Sequence, residues 1–235
     1  ALAANTTAGN NTAVGRVALD ANTTGTANVA VGTNALGTST TASENTAVGN
    51  AALFATTTGA DNVGIGASAL DSTTTGGENT AIGHQAGHNL TTGVNNTLLG
   101  HEAGTDAVAN VVASNGNIVI GNNYSASAKI KIDWTVTSDL RDKTEIESVP
   151  HGLNFVNQIT PIKYRFKTSR ENDTPNGVTR YGFKAQEILA LEGENPVLVD
   201  NGDTDNLKLT GAYLLPVLVN AIKELKAEIE LLKNK

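Results

Sequence analysis

A repeat of 17 residues fills the first hundred positions of this 235-residue chain. One column of the repeat is asparagine and another, four residues later, is glycine: Asn11, Asn28, Asn45, Asn62, Asn79 and Asn96, then Gly15, Gly32, Gly49, Gly66, Gly83 and Gly100. A short apolar segment lies between them, as in Asn45-Thr46-Ala47-Val48-Gly49. A unit this short cannot bury an apolar face alone, so neighbouring units must stack and share a core. The repeat therefore predicts a solenoid.

The composition of each unit favours strands over helices. Thr, Asn and Gly are frequent, and no 3.6-residue period runs through a unit. A second apolar column follows the glycine: Ala18-Leu19, Ala35-Leu36, Ala52-Leu53, Ala69-Leu70, Ala86-Gly87 and Ala103-Gly104. We expect strand–turn–strand coils in which both the Asn and the Gly columns supply turns with positive φ. The predicted fold of this region is mainly β.

The predicted core is thin. One aliphatic residue and one Ala-Leu pair per unit bury little area at about 25 cal/mol per Å², whereas ordering the backbone costs roughly 1–2 kcal/mol per residue. Chains associated along a shared axis would bury more, so we predict a homo-oligomeric fibre. The repeat resembles the heads of trimeric adhesins, although its unit length differs, and resembles fibre segments of phage tail proteins more closely. Both resemblances imply a homotrimer.

The regular 17-residue spacing of the asparagines ends at Asn96. Asn117 follows Asn96 by 21 residues instead of 17, so residues 105–116 read as an insertion, and Lys129–Trp134 alternates polar and apolar residues as a closing strand would. Residues 1–133 carry three basic and eight acidic side chains, whereas residues 134–235 carry 13 and 15. We predict two domains, a repetitive β-solenoid at 1–133 and an α+β domain at 134–235.

Three motifs follow the junction. They are Ser138-Asp139-Leu140-Arg141-Asp142-Lys143, then Gly182-Phe183-Lys184-Ala185-Gln186-Glu187, and an apolar segment that begins at Tyr213. In this order they resemble the endosialidase-type C-terminal intramolecular chaperone, a self-cleaving peptidase at the ends of phage tail spikes and fibres. The resemblance implies that the domain trimerises, guides folding of the preceding fibre and then cuts itself off. By the same resemblance the scissile bond is Thr137–Ser138, Ser138 is the nucleophile and Lys143 is its base.

The chemistry suits a single-turnover serine endopeptidase with a Ser-Lys dyad. A serine hydroxyl needs a neighbour to take its proton, and a lysine can do so only when neutral, which burial or a nearby cation such as Arg141 would promote. We assign Asp139 and Arg141 to supporting the cleavage loop. Attack by Ser138 on the preceding carbonyl and attack by the serine of a neighbouring subunit both stay open. So does a purely structural role, since Ser-Asp is also a common helix N-cap.

The end of the chain predicts a helix over about 212–234. Its apolar residues follow 3-4-3-4-3 spacing, which is typical of a coiled-coil seam: Leu215, Leu218, Ile222, Leu225, Ile229 and Leu232. Pro216 fits only near the start of this helix. The pattern of Ile and Leu favours dimers in simple coiled coils, whereas the family resemblance implies a trimer. A helix that packs on its own domain is the alternative.

Several classes of function are excluded or disfavoured. The chain has no Cys and a net charge of −7, which argues against thiol chemistry and nucleic-acid binding, and no apolar run reaches the length of a membrane span. Metal binding by the histidines and the adjacent carboxylate (His84, His88, His101 and Glu102) is disfavoured, because two of these histidines share a repeat column with Arg16, Thr33, Asn50 and Ala67, and a column so tolerant usually faces solvent. No cofactor motif is present.

The combined prediction is the distal part of a phage-type tail fibre of a virion, assembled in the host cytoplasm and binding a host surface receptor or glycan. Its chaperone would drive trimerisation and then release itself by autoproteolysis. A non-proteolytic trimeric surface adhesin or structural stalk is the alternative. An ice-binding solenoid, suggested by the Thr columns, would require a flat and regular Thr face.

Overall fold

The computed structural model describes residues 1–105, 109–122, 125, 138–167, 170–202, 204–205 and 207–234. The chain divides into two compact units, Ala1–Ser127 and Ala128–Lys235. The domain boundary predicted between 133 and 134 and the closing strand predicted at Lys129–Trp134 lie outside the described residues.

The first unit is a parallel β-solenoid. Seven strands of three residues form one sheet in chain order: β1 (Thr12–Val14), β2 (Val29–Val31), β3 (Thr46–Val48), β4 (Val63–Ile65), β5 (Thr80–Ile82), β6 (Thr97–Leu99) and β7 (Ile118–Ile120). Each strand pairs with the next one in parallel, with Thr46 opposite Val63 and Val63 opposite Thr80. The 17-residue period is therefore one turn, and the predicted solenoid is confirmed. Each turn adds one strand to this sheet. Outside the strands, neighbouring turns are joined by backbone hydrogen bonds such as that from Leu36 N to Ala52 O.

The core of the solenoid is a stack of small and branched side chains. The middle residue of each strand points inward, and the Ala-Leu pairs fill the space opposite, with Leu19, Leu36, Leu53 and Leu70 fully buried. These leucines have positive φ, between 49° and 54°. Gly87 and Gly104 take the same place in later turns, and Leu98 of β6 occupies the space that they leave, so that a Cβ on Gly87 would lie 2.7 Å from Leu98. The core volume is thus kept when the repeat changes.

The asparagine column has a different role from the one expected. The positive φ lies on the residue before each asparagine, as at Ala27, Glu44, Asp61 and Glu78. None of the asparagines that directly precede the strands has positive φ. Five of these asparagines are buried instead, and their amides bond from turn to turn: Asn28, Asn45, Asn62, Asn79 and Asn96. The expectation of a turn residue was wrong here, because a buried amide with identical neighbours above and below can satisfy all its hydrogen bonds.

The glycine column agrees with its prediction. Gly32, Gly49, Gly66 and Gly83 have φ between 133° and 138°, a region that other residues rarely enter. A Cβ at Gly66 would also lie 2.3 Å from the carbonyl oxygen of Gly83 in the next turn. Both the backbone and the space around it therefore require glycine.

The interval of 21 residues does not interrupt the stack. Thr97 of β6 pairs with Ile118 of β7, and Asn117 donates to Asn96 at 2.8 Å just as the earlier asparagines do. The four extra residues are taken up within the predicted insertion at 105–116, of which residues 106–108 lie outside the described part.

The second unit is a small α+β fold, as predicted. Its elements are α1 (Leu153–Gln158), β8 (Ile162–Lys167), β9 (Pro175–Gly182), α2 (Ala185–Glu192), β10 (Val199–Asp200), β11 (Lys208–Leu209) and α3 (Leu214–Lys233). β8 and β9 form an antiparallel hairpin, and β10 and β11 form a second antiparallel pair. The core contains Phe155, Ile188, Leu198, Val199, Leu214 and Val217.

Helix α3 presents two different faces. A single turn of 3-10 helix (Gly211–Tyr213) precedes it, so the start agrees with the prediction and Pro216 lies in the first turn. Leu214, Val217 and Ala221 are buried against the rest of the unit. Of the predicted seam, Leu218 packs partly on this core, whereas Leu215, Ile222, Leu225, Ile229 and Leu232 are exposed. The seam and the packed face are thus largely separate.

Candidate functional site

The motif at 138–143 folds into one short turn. Leu140–Asp142 is a 3-10 helix, and Asp139 caps it by accepting a hydrogen bond from the Arg141 backbone amide at 2.9 Å. The Lys143 amide closes the turn by donating to the Leu140 carbonyl at 3.2 Å. The N-cap role that is common for Ser-Asp sequences belongs to Asp139, which leaves the Ser138 side chain free to face another group.

Ser138 and Lys143 are brought into contact by this turn. Lys143 Nζ donates to Ser138 Oγ at 2.8 Å and to the Ser138 carbonyl oxygen at 3.2 Å. A distance of 2.8 Å is within reach for direct proton transfer. A protonated lysine donates to the hydroxyl, whereas a neutral one would accept its proton across the same two atoms. The two residues predicted as nucleophile and base thus lie within hydrogen-bonding distance of each other.

Asp139 and Arg141 form an ion pair beside the dyad. The guanidinium donates to both carboxylate oxygens, with 3.0 Å from Nε to Oδ1 and 2.6 Å from the terminal nitrogen to Oδ2. The Arg141 side chain and backbone amide hold the pKa of Asp139 below its usual value, and the carboxylate raises the pKa of Arg141. Because Asp139 compensates its charge, Arg141 acts on Lys143 less strongly than a free cation would. The ion pair joins two residues of the same short turn.

The whole turn lies in solvent in the single chain. Ser138 and the residues 140–143 are exposed, and Asp139 is half-buried. Leu140 is 68% exposed, although it is the one large apolar residue of the turn. Burial is the main means of making a lysine neutral at ordinary pH, and the described part of the second unit does not supply it. Thr137, the other residue of the predicted scissile bond, lies outside the described residues.

The second motif is structural. Gly182 ends β9, Phe183 packs partly on the core, and Ala185, Gln186 and Glu187 begin α2. Tyr181, just before this motif, lies in β9 and is 83% exposed.

One carboxylate was missed by the sequence analysis. Glu192, at the end of α2, accepts hydrogen bonds from the backbone amides of Val197, Leu198 and Val199, at 2.8, 2.8 and 3.1 Å. It holds the loop between α2 and β10 against the core. The only signal in the sequence is a Glu just before a Gly-containing turn, which is too common to be informative.

The histidines of the solenoid are arranged along its surface. His84 and His101 stack with their ring centroids 5.1 Å apart, His101 lies 3.4 Å from Glu102, and His88 lies 2.5 Å from Asp71. Within the described residues no group of three or more His, Cys, Asp or Glu side chains is placed to hold a metal ion. No described helix is long and apolar enough to cross a membrane.

Two adjacent columns of threonine lie in the turns of the solenoid. One of them is used within the solenoid, because each hydroxyl donates to a carbonyl of the next turn: Thr6, Thr23, Thr40, Thr57, Thr74 and Thr91. The neighbouring column, which includes Thr24, Thr41 and Thr58, is exposed. Half of the hydroxyls that an ice-binding face would present are therefore already bonded.

Comparison with known families gives one match. A family model described as chaperone of endosialidase matches residues 138–198, about a quarter of the chain. The matched range begins at Ser138 and contains both the Ser-Asp-x-Arg-x-Lys and the Gly-Phe-x-Ala-Gln-Glu motifs, so the resemblance drawn from them is confirmed there. Neither the curated proteins nor the solved structures that were compared gave a match.

Proposed function

We propose, from the chaperone-of-endosialidase domain that begins at Ser138 and the solenoid before it, that this chain is the distal part of a phage-type tail fibre. The second unit would assemble three chains, guide folding of the solenoid shaft and then release itself by cutting Thr137–Ser138. The shaft would form part of the virion, assembled in the host cytoplasm, and would contribute to contact with a host receptor or glycan. One observation carries the catalytic part, namely the 2.8 Å contact between Lys143 Nζ and Ser138 Oγ.

The proposed reaction needs no cofactor. In the intramolecular route, Ser138 Oγ attacks the Thr137 carbonyl carbon while neutral Lys143 takes the hydroxyl proton. The Thr137–Ser138 C–N bond then breaks, and the Ser138 nitrogen receives that proton and becomes a free amine. The resulting ester between Thr137 and Ser138 Oγ is hydrolysed by water, which leaves a Thr137 carboxylate and restores the serine hydroxyl. In the alternative route, the same steps use Ser138 of a neighbouring subunit.

Exposure of the dyad supports a link between assembly and cleavage. The reaction needs a neutral lysine, which burial favours, so the exposed turn of a single chain is poorly arranged for cleavage. Leu140 and the exposed seam of α3 supply apolar surface that association of copies would cover. Covering the turn would favour the neutral lysine. Cleavage is therefore expected after, and not before, the chains have assembled.

Mass spectrometry of the purified full-length protein tests this function. We expect two products whose masses place the cut at Thr137–Ser138. Ser138→Ala and Lys143→Ala should stay intact, and so should Lys143→Arg, which keeps the positive charge but cannot become neutral. Ser148→Ala and Lys184→Ala are matched controls at exposed positions and should be cut as in wild type. If the wild-type protein stays intact but forms trimers, the proposed peptidase activity is wrong, whereas the proposed role in assembly is not affected.

A non-proteolytic trimeric stalk or adhesin is the second candidate. The observation that favours it is the role of Asp139 as an N-cap in a solvent-exposed turn, since this arrangement needs no chemistry to explain it. Under this alternative the wild-type chain stays whole at every stage of assembly. The same mass spectra separate the two functions, because Lys143→Arg then changes nothing.

A further inference from the structure

An aliphatic column runs along the outward face of the solenoid sheet. It consists of the third residue of every strand: Val14, Val31, Val48, Ile65, Ile82, Leu99 and Ile120. The parallel register places each directly over the next, and the column continues through β7 in spite of the 21-residue interval. Val14 is 59% exposed, Ile82 40% and Ile120 63%. Val31 and Val48 are half-buried, and the other five are exposed. Among the described residues, no other side of the solenoid carries an aliphatic residue at the surface in every turn.

The first residue of each strand points the same way. These residues are uncharged in all seven turns: Thr12, Val29, Thr46, Val63, Thr80, Thr97 and Ile118. The two columns together form the outer strip, which is about 29 Å long if neighbouring strands lie about 4.8 Å apart. Proteins that act as monomers seldom leave a continuous aliphatic column of this length uncovered. The outer strip therefore has the character of an interaction surface.

We propose that the outer strip packs against the outer strips of two further copies of this chain, with the three solenoids parallel and level around a threefold axis. The inference rests on the proposed trimer and adds the face through which the shafts meet. A partner for this strip must itself present apolar side chains every 4.8 Å or so over seven turns. The chain's own solenoid has that repeat, in the same length and number of turns, and so fits without adjustment.

At the level of β5, the two edges of the outer strip carry an acidic residue and a histidine. Along one edge, just before the buried asparagines, lie Glu44, Asp61 and Glu78, and all three are exposed. Along the other edge, just after the glycines, lie His84 and the rest of its column, which also contains Arg16 and His101. A cyclic arrangement of parallel copies brings the first edge of each chain to the second edge of the next. At the level of β5 this places Glu78 of one copy near His84 of another.

Cysteine cross-linking of the full-length protein tests the face directly, because the chain has no cysteine of its own. The variant Glu78→Cys/His84→Cys is oxidised and run on a non-reducing denaturing gel. We expect a covalent trimer, since each chain then links to both neighbours, and no such band with either single variant. A bond within one chain is excluded, because the strand between the two positions spans about 10 Å, more than the roughly 7 Å limit between disulfide-bonded Cα atoms.

A second pair of cysteine variants tests whether the outer strip lies at the interface between copies. Ile65→Cys lies at the centre of the aliphatic column and should form disulfides between copies, whereas Thr58→Cys, exposed on another side of the turn, should not. A covalent dimer with the double variant would refute the threefold arrangement. If analytical ultracentrifugation shows trimers but Ile65→Cys does not cross-link, the proposed interface is wrong and the proposed trimer is still supported. If the wild-type protein is a monomer, both the proposed trimer and the proposed interface at the outer strip are wrong.

Discussion

Replacing one buried asparagine of the solenoid by leucine should destabilise it far more than a change to leucine at its surface. Asn62 is fully buried, and its amide donates to Asn45 Oδ1 at 3.1 Å and to the Gly76 carbonyl at 2.9 Å. Its own Oδ1 accepts from the backbone amide and the side chain of Asn79, at 3.1 and 3.0 Å. Leucine has a similar branched shape but is larger and cannot form hydrogen bonds, so it leaves no room for a water molecule to take over these bonds.

The size of the effect follows from the groups left without a partner. Asn62→Leu orphans the Gly76 carbonyl and both the backbone and side-chain donors of Asn79. An unsatisfied buried polar group costs about 1–3 kcal/mol, so three of them should cost at least about 3 kcal/mol. This is a large share of the 5–15 kcal/mol by which folded domains are typically stable.

Thr58→Leu is the matched control. Thr58 lies in the preceding turn and is exposed on a side of the solenoid away from the outer strip. Its replacement should change the free energy of unfolding by no more than about 0.5 kcal/mol. Both variants are compared with wild type by guanidinium unfolding of the full-length protein, followed by far-ultraviolet circular dichroism. Equal midpoints for the two variants would show that the amide ladder stabilises the shaft no more than a surface contact does, and the reasoning would be wrong.

Two further predictions concern the glycine column and the candidate site. Gly66→Ala should lower the melting temperature of the shaft by several degrees, because φ is +133° and the new Cβ would meet the Gly83 carbonyl, whereas Gly9→Ala, which meets nothing within 4 Å, should not. In a carbon-13 NMR titration, Asp139 should lose its proton with a midpoint below the reference value of about 3.9, because the ion pair with Arg141 lowers its pKa. Since the folded-state pKa is the lower one, the ion pair supports the turn at and above the reference pKa and is lost as the pH falls through the lowered value. Arg141→Ala should move the midpoint back towards the reference, and an unchanged midpoint would count against the ion pair.

The solenoid could be predicted because some columns of the repeat have only one acceptable residue. Glycine at Gly66 is required both by its φ and by the carbonyl of the next turn, so its period reports the geometry of the coil directly. The role of Asn62 could not be read in the same way. Asparagine is common in turns, and its burial becomes favourable only when Asn45 and Asn79 stand beside it in space. That arrangement is a property of the stack, and a single unit does not show it.

The candidate site shows the same limit. A spacing of five residues between Ser138 and Lys143 predicts contact in neither a regular helix nor a strand, so the motif was recognised by resemblance and not by geometry. The contact depends on the 3-10 turn that Asp139 caps. The exposure of this turn was also beyond prediction, because it depends on what the rest of the unit packs against.

The regularity of the shaft creates a problem that the second unit is suited to solve. Because the turns are nearly identical, three chains that slip by one turn would still match most of the outer strip, and the energy difference between registers is small. Each turn also contributes little core, so a few stacked turns are a weak nucleus. The parts of the chain that do not repeat, namely the 21-residue interval before β7 and the unit at 128–235, can distinguish the correct register from the shifted ones. A domain that joins the chains at the end of the repeat would set the register once, and the shaft would then extend from that end by stacking turn on turn. Under the proposed function, the contacts of the completed shaft would then maintain the register, and the domain that established it could be removed by cleavage.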